Sequence, residues 1–294
     1  MNDKFYIACI RSPVQDVPRK KQKWYKGMPL LSMFVLAVLI TGCLACRLVM
    51  TKDPMYMDLR HYSVPPDGEF LFGTDPMGRD IFSMVWYGGR ISLGIGLSAS
   101  LLSVCIAIVV GAASGCAPDL ADALLMRLTE ILLSVPNLLA VLFLLAGLGG
   151  ADAWRISAVL GMTSWMGMAK IIRTQVRQIC HSEYILAAKC MGGGFFYILR
   201  THLMPHVVPS ILFMAVMNIR NAIAAESTLS FMGIGLPVEV VSWGSMLSLA
   251  QKAFLTNAWW IILVPGAFLT ITLICMTNIG NYVRKRFSGG QSSV

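Results

Sequence analysis

The stretch "EYILAAKCMGGGFFYILRTHLMPH", Glu183 to His206, lies between two apolar runs, in a chain dominated by such runs. Ser182 can cap a helix that opens at Glu183, an acid well placed at a positive helix end. Ile185, Ala188 and Met191 then share one face. Ala187 and Ala188 leave no bulk, so another surface can approach the backbone. Gly192, Gly193 and Gly194 break the helix and permit a sharp turn. Phe196, Leu199 and Leu203 restart an apolar stripe, and Pro205 marks the approach to the next apolar run. The pattern predicts a short helix–turn–helix on the membrane surface, with a small-residue contact face and basic flanks. Such an element docks a cytoplasmic partner. Its side of the membrane fixes how often the rest of the chain must cross.

The chain has 294 residues, of which 56% are hydrophobic and 13% charged. A soluble domain carries about 25% charged residues, so this composition belongs to the membrane class. The net charge of +9 comes from bases placed beside apolar runs, which is the pattern of membrane topology, not of a nucleic-acid surface. Most of the eight cysteines lie inside apolar runs and lack the spacing of a disulfide scaffold. Cys43 and Cys46 form a C-x-x-C without a second pair or histidines, so they read as small packing residues, not as a metal site. "LITGC" (Leu39–Cys43) resembles a lipoprotein cleavage box. About 28 residues precede its apolar run, however, and a retained first helix is expected.

Five segments, near 29–50, 91–116, 132–150, 207–232 and 258–282, reach the roughly 20 apolar residues a span requires. A sixth, near 153–172, has about 14 residues between Arg155 and Lys170, roughly 21 Å, and spans only with help from its flanks. Charge decides for six. The first tail holds Lys4, Arg11, Arg19, Lys20, Lys21, Lys23 and Lys26. The region around the 183–206 stretch holds Lys170, Arg173, Arg177, Lys189 and Arg200, and the last tail Arg284, Lys285 and Arg286. The 51–89 loop opposes six acids (Asp53, Asp58, Asp67, Glu69, Asp75 and Asp80) to the three bases Lys52, Arg60 and Arg79. Basic segments near membrane ends stay cytoplasmic. Six crossings put both tails and the 183–206 stretch inside and the acidic loop outside; five violate the rule at one of these places.

Ser92, Gly96 and Ser100 recur every fourth residue, and Gly111 and Gly115 form G-x-x-x-G, so the second helix expects close protein neighbours. Arg127 and Glu130 share a helix side, and Pro136 marks a break; 119–134 is read as entering the membrane from the cytoplasmic surface. Arg220 and Glu226 are ionisable residues in the fifth span. Six positions apart, they do not share a face and are not expected to pair. They line a translocation path, or Glu226 lies near the outer interface where Gly233, Gly235 and Pro237 end the helix.

Glu183, Ala187, Ala188, Gly192, Ile198, His202 and Pro205 follow the spacing E-x-x-x-A-A-x-x-x-G-x-x-x-x-x-I-x-x-x-H-x-x-P, which resembles the "EAA" loop of ABC importer permeases. "FGTDPMGRDIFS" (Phe72–Ser83), "YGGRISLGIGL" (Tyr87–Leu97), "DALLMRLTEILLSVP" (Asp122–Pro136), "ESTLSFMGIGL" (Glu226–Leu236) and "SWGSML" (Ser242–Leu247) follow in matching order. As a set, over roughly residues 25–282, they resemble the C-type permease subunit of dipeptide, oligopeptide and nickel importers. The resemblance implies an all-α integral membrane protein of the type I ABC importer permease fold, with six transmembrane helices and a cytoplasmic coupling helix. It implies that Glu183 to Gly192 insert into a groove on an ATPase. Its implied partners are a B-type permease, two ATPases and an extracytoplasmic solute-binding protein, beside membrane lipid. Gly73, Thr74, Asp75, Gly78, Arg79 and Asp80 would lie at the extracytoplasmic mouth. Met204 and His206 stand where the family usually has Leu and Asn, and the final tail lacks the family's acidic pattern.

The implied organisation is a cytoplasmic basic tail (1–28), a first span with its extracytoplasmic loop (29–86), a five-helix transporter domain (87–283) and a cytoplasmic tail (284–294). The location is the bacterial inner, or plasma, membrane. No phosphate-binding loop is present, so ATP must be hydrolysed by other subunits. No catalytic residue, cofactor, metal or nucleic-acid site is expected. His202 and His206, four apart, lack further ligands. An intramembrane enzyme would need a nucleophile and base at membrane depth, and all four histidines fall in loops or at interfaces. A stand-alone secondary transporter would show internal repeats, which are absent. Peptides, nickel and opine-type metal chelates all stand open as cargo.

Overall fold

A computed structural model describes residues 28–180, 204–237, 239–253 and 257–288. Among the described residues the chain is helical, with a single isolated bridge between Thr74 and Asp80. The helices are α1 (Leu30–Leu44), α2 (Cys46–Val49), α3 (Ile81–Cys116), α4 (Asp119–Ser134), α5 (Asn137–Gly147), α6 (Ala153–Cys180), α7 (Met204–Phe231), α8 (Trp243–Ala253) and α9 (Trp260–Ser288). Every apolar segment expected from the sequence is largely helical, and the differences lie at the ends of segments and at breaks within them.

Helix α3 starts at Ile81, ten residues before the apolar run expected from 91, because Asp80 caps it by accepting from Ser83 N at 3.1 Å and Ser83 Oγ at 2.6 Å. Its 36 residues make a rod of about 54 Å, well beyond a hydrocarbon core of about 30 Å. The segment expected near 132–150 is the shorter α5, joined to α4 at an 87° bend. The cause is Pro136: it drives Val135 out of the helical region (φ −79°, ψ 126°), so α4 stops at Ser134 and a new helix begins. The weakest segment, near 153–172, is one continuous helix of 28 residues.

Three helices (α3, α7 and α9) are long and apolar enough to cross a membrane by themselves, and the bent α4–α5 pair makes a fourth candidate. Contacts between them fix the directions of the rest. Ser98 meets Ser157, Gly161 lies against Ala99 and Leu102, Gly111 against Ala169 and Ile172, and Gly115 against Val176. Residue numbers rise together, so α3 and α6 run parallel, and residues 117–152 must carry the chain back. The α3–α7 contacts run the other way, from Ser92 with Glu226 to Ser100 with Ala215. Ser32 at the start of α1 meets Asn278 late in α9, while Gly42 at the end of α1 faces Trp86 early in α3. Directions therefore alternate through α1, α3, α4–α5, α6, α7 and α9, giving six traverses with the first and last helices joined to the tails at one end. That end is called the tail end below, and the opposite one the cap end.

Three apolar clusters stack along α3. Met84, Val85, Val241, Trp260 and Ile261 pack at the cap end; Ile95, Val141, Ile156, Leu160 and Leu229 in the middle; Ala107, Ala169, Ile172, Val207 and Met214 toward the tail end. Gly111 explains how the polar α6 is accommodated. A Cβ there would come 2.7 Å from the carbonyl oxygen of Ala169, so only glycine lets the two backbones approach this closely. In lipid, such small-residue contacts hold helices together by dispersion.

Candidate functional site

Three buried polar clusters lie along the bundle. At the cap end, Asp75 and Arg79 form an ion pair, 3% and 1% exposed, with Arg79 Nε donating to Asp75 Oδ2 at 2.7 Å. The other carboxylate oxygen of Asp75 accepts from Met77 N and Arg79 N, both at 2.8 Å. Thr74 Oγ1 accepts from Val64 N at 2.8 Å and donates to the carbonyl of His61. Trp260 Nε1, from α9, donates to the carbonyl of Thr74 at 3.2 Å. Gly73 and Gly78 have φ of 76° and 74°, and a Cβ at Gly78 would overlap the carbonyl oxygen of Asp58. Asp58 is held below the ordinary carboxylate range by its hydrogen bond with the His61 ring (2.8 Å), and further by the Arg60 N–H. The six residues read from the sequence at this end are brought together as a clasp. It fixes loop 51–80 onto the starts of α3 and α9. The apolar surface that the loop leaves exposed includes Tyr56, Leu59, Tyr62 and Leu71, beside Met55 and Met57, which no sequence pattern singled out.

In the middle, Glu226 on α7 is completely buried. Its Oε1 accepts from Ser242 Oγ at 2.8 Å and Ser230 Oγ at 2.9 Å, and its Oε2 from Ser92 Oγ at 3.2 Å and Ser227 Oγ at 3.4 Å. Ser92 also accepts from Trp243 N, and Ser242 from Ser245 N. Gly244 permits the approach, since a Cβ there would lie 2.7 Å from Ser227 Cα. The carboxyl group thus joins α3, α7 and the start of α8. Arg220 is not part of this network. It is half-buried, Nη1 donates to Asn221 at 2.9 Å, and it makes no contact with Glu226.

At the tail end, Asp122 on α4 is 2% exposed. It accepts from Ser114 Oγ of α3 and from the guanidinium groups of Arg173 and Arg177 of α6. Arg177 also reaches Asp119, and Glu130 bridges Arg127 and Lys170, each at 3.2 Å. Gln175 Nε2 donates to Ser210 Oγ of α7 at 2.6 Å. The end of α6 is therefore tied to the beginning of α7 at the tail end, so Cys180 and Met204 lie at the same end of the bundle. Within that stretch Glu183, Ala187, Ala188, Gly192, Ile198 and His202 lie outside the described residues, as do the bases of the first tail. Pro205 is the second residue of α7, a position where a missing N–H costs nothing. Among the described residues no three His, Cys, Asp or Glu side chains group as metal ligands.

A family model described as the binding-protein-dependent transport system inner membrane component matches residues 103–289. Among curated proteins the chain is similar to the dipeptide transport system permease protein DppC of Bacillus subtilis strain 168. The two are 33% identical over 270 residues, covering 92% of this chain and 83% of the relative. The oligopeptide transport system permease protein OppC of the same organism is 32% identical over 257 residues, covering 87% of this chain and 84% of the relative. Among solved structures, a chain of the MetNI methionine ABC transporter in an inward-facing conformation superposes with a TM-score of 0.57 at 14% identity. The superposition covers 69% of this chain and 96% of that one.

Proposed function

The chain belongs to the family of binding-protein-dependent transport system inner membrane components, multi-pass membrane permeases of ABC importers, and from that membership we propose that it is the C-type permease subunit of a peptide importer. The observation that carries the cargo class is the identity of about one third, over nine tenths of the chain, with a dipeptide permease. In this reading the chain forms half of a translocation pore with a B-type permease, two ATPases drive it, and an extracytoplasmic binding protein delivers the peptide.

The tail end is cytoplasmic, so both termini lie inside with the 181–203 stretch. Glu183, Ala187, Ala188 and Gly192 then form the ATPase-contacting helix, while Ile198, His202 and Pro205 lead into α7. The Asp122–Arg173–Arg177 cluster and the Gln175–Ser210 bond give that helix a stiff base, through which ATPase closure moves α6 and α7 together. The cap end faces outward. There the buried clasp of Gly73, Thr74, Asp75, Gly78, Arg79 and Asp80 shapes the mouth, and the exposed Tyr56, Leu59, Tyr62 and Leu71 meet the binding protein.

The experiment is uptake of labelled dipeptide by cells carrying the complete transporter with Glu183→Arg or Gly192→Pro in this chain. Uptake is expected to be lost while the complex still assembles in the membrane. Wild-type rates in both variants would refute the coupling role, and a transporter that binds no peptide would refute the cargo class.

A further inference from the structure

Cys116 is the last residue of α3 and Cys180 the last of α6, and their sulfur atoms lie 3.8 Å apart. The proximity follows from the packing. The two helices run parallel and stay in close contact to their ends: a Cβ on Gly115, the residue before Cys116, would fall 2.7 Å from Val176 Cγ1 and 3.0 Å from the carbonyl oxygen of Arg173. Two helices in backbone contact that end side by side bring their terminal side chains together. Cys116 is exposed and Cys180 half-buried, so an oxidant in solution can reach the pair.

We propose that Cys116 and Cys180 form a thiol-oxidation site, closed to a disulfide by hydroperoxides, that locks the inner ends of α3 and α6 and stops transport. One thiolate attacks a peroxide oxygen, the O–O bond breaks, and a sulfenic acid and one water form. The second thiolate displaces the sulfenic oxygen, which leaves as a second water, and the S–S bond forms. Overall one hydrogen peroxide is reduced to two waters while two thiols are oxidised to one disulfide. Side-chain rotation at the two helix ends closes the gap to a bond of about 2.05 Å. The consequence rests on the proposed coupling role. Residue 181 begins the stretch that contains Glu183, so a bond at Cys180 pins the base of that stretch to α3. In the reducing cytoplasm the pair stays as thiols, and the lock forms only under oxidative stress.

The test treats membranes containing the complete transporter with hydrogen peroxide, quenches with an alkylating agent and digests. Mass spectrometry then seeks the peptide linked through Cys116 and Cys180. ATP hydrolysis by the complex, which requires no knowledge of the cargo, is measured before oxidation, after it, and after dithiothreitol. The linked peptide, a loss of hydrolysis reversed by dithiothreitol, and resistance in Cys116→Ser and Cys180→Ser are expected. Absence of the linked peptide, undiminished hydrolysis when it is present, or equal loss in the serine variants would each overturn the proposal. Failure of the coupling role is seen separately, as wild-type uptake in Glu183→Arg, and leaves the mass-spectrometric result untouched.

Discussion

Ser242 Oγ donates to Glu226 Oε1 across 2.8 Å, joining the residue before α8 to α7 five residues before its end. Three more serine hydroxyls point at the same carboxyl group, so an acid that would be costly at this depth is met on both oxygens. A Glu226→Ala substitution leaves Ser92, Ser230 and Ser242 without their shared acceptor. Removing one partner from a buried hydrogen bond costs about 1–3 kcal/mol, so the thermal midpoint of the detergent-solubilised complex should fall clearly. Ser242→Ala removes one donor of four and should cost less, about 1 kcal/mol. Equal midpoints for the two variants would show that the carboxyl group does not organise this junction.

Glycines on α3 should differ sharply according to what lies beside them. Gly111→Ala places a methyl group 2.7 Å from the carbonyl oxygen of Ala169 and 2.9 Å from Ile172 Cβ, where backbone must yield. Overpacking of this kind costs about 1–3 kcal/mol and should separate α3 from α6. Gly94→Ala meets nothing within 4 Å, and alanine is favoured over glycine in a helix by about 1 kcal/mol, so this variant should be neutral or slightly stabilised. Melting both variants in the same detergent tests the contrast, and equal destabilisation would refute the α3–α6 contact.

The contrast also marks what a single sequence can reveal. The spans were legible because each needs a run of apolar residues, and the small-residue rhythm from Ser92 to Gly115 announced α3 as a packing helix. The sixth traverse was legible only through charge. Its helix packs an apolar face on α3 but carries Lys170, Arg173, Gln175 and Arg177 toward the tail end, where they pair with Glu130, Asp122 and Ser210, so a hydropathy reading undervalues it. The environment of Glu226 was hidden for a different reason. Its serines come from positions 92, 227, 230 and 242, and only the antiparallel meeting of α3 with α7 gathers them. The 51–89 loop read as acidic and extracytoplasmic, yet Asp75 and Asp80 are buried, because the local partners Arg79 and Ser83 bond to them within one turn. Pro136 signalled a break, but the 87° angle at which α4 meets α5 has no signal in the sequence.

The Asp75–Arg79 pair should behave as a unit. Breaking a buried ion pair by removing one partner costs about 3–5 kcal/mol, because the other charge stays behind without compensation. Asp75→Asn and Arg79→Met should each release loop 51–80, read as faster proteolysis between residues 51 and 80. The double variant leaves no isolated charge, so its loss should be smaller than the sum of the two single losses. A double-mutant cycle on the complex measures the coupling, and strict additivity would mean that the two groups act independently.

Acid should loosen the same cap through Asp58, whose carboxyl group is held below its ordinary range by His61 and then by the Arg60 N–H. A carboxylate with a depressed folded pKa contributes stability that is fully present above its unfolded value, about 3.9, and is lost as pH falls through the lower folded value. Asp58→Asn removes that contribution at every pH. The thermal midpoints of the native chain and the Asn variant should therefore differ most above about pH 5 and converge as pH drops below about 4. Taking the difference between the two proteins cancels the other carboxylates that titrate in this range. A gap that stays constant from about pH 6 to the acid limit would show that the Asp58 charge does not hold the turn, and that the side chain acts there through its shape alone.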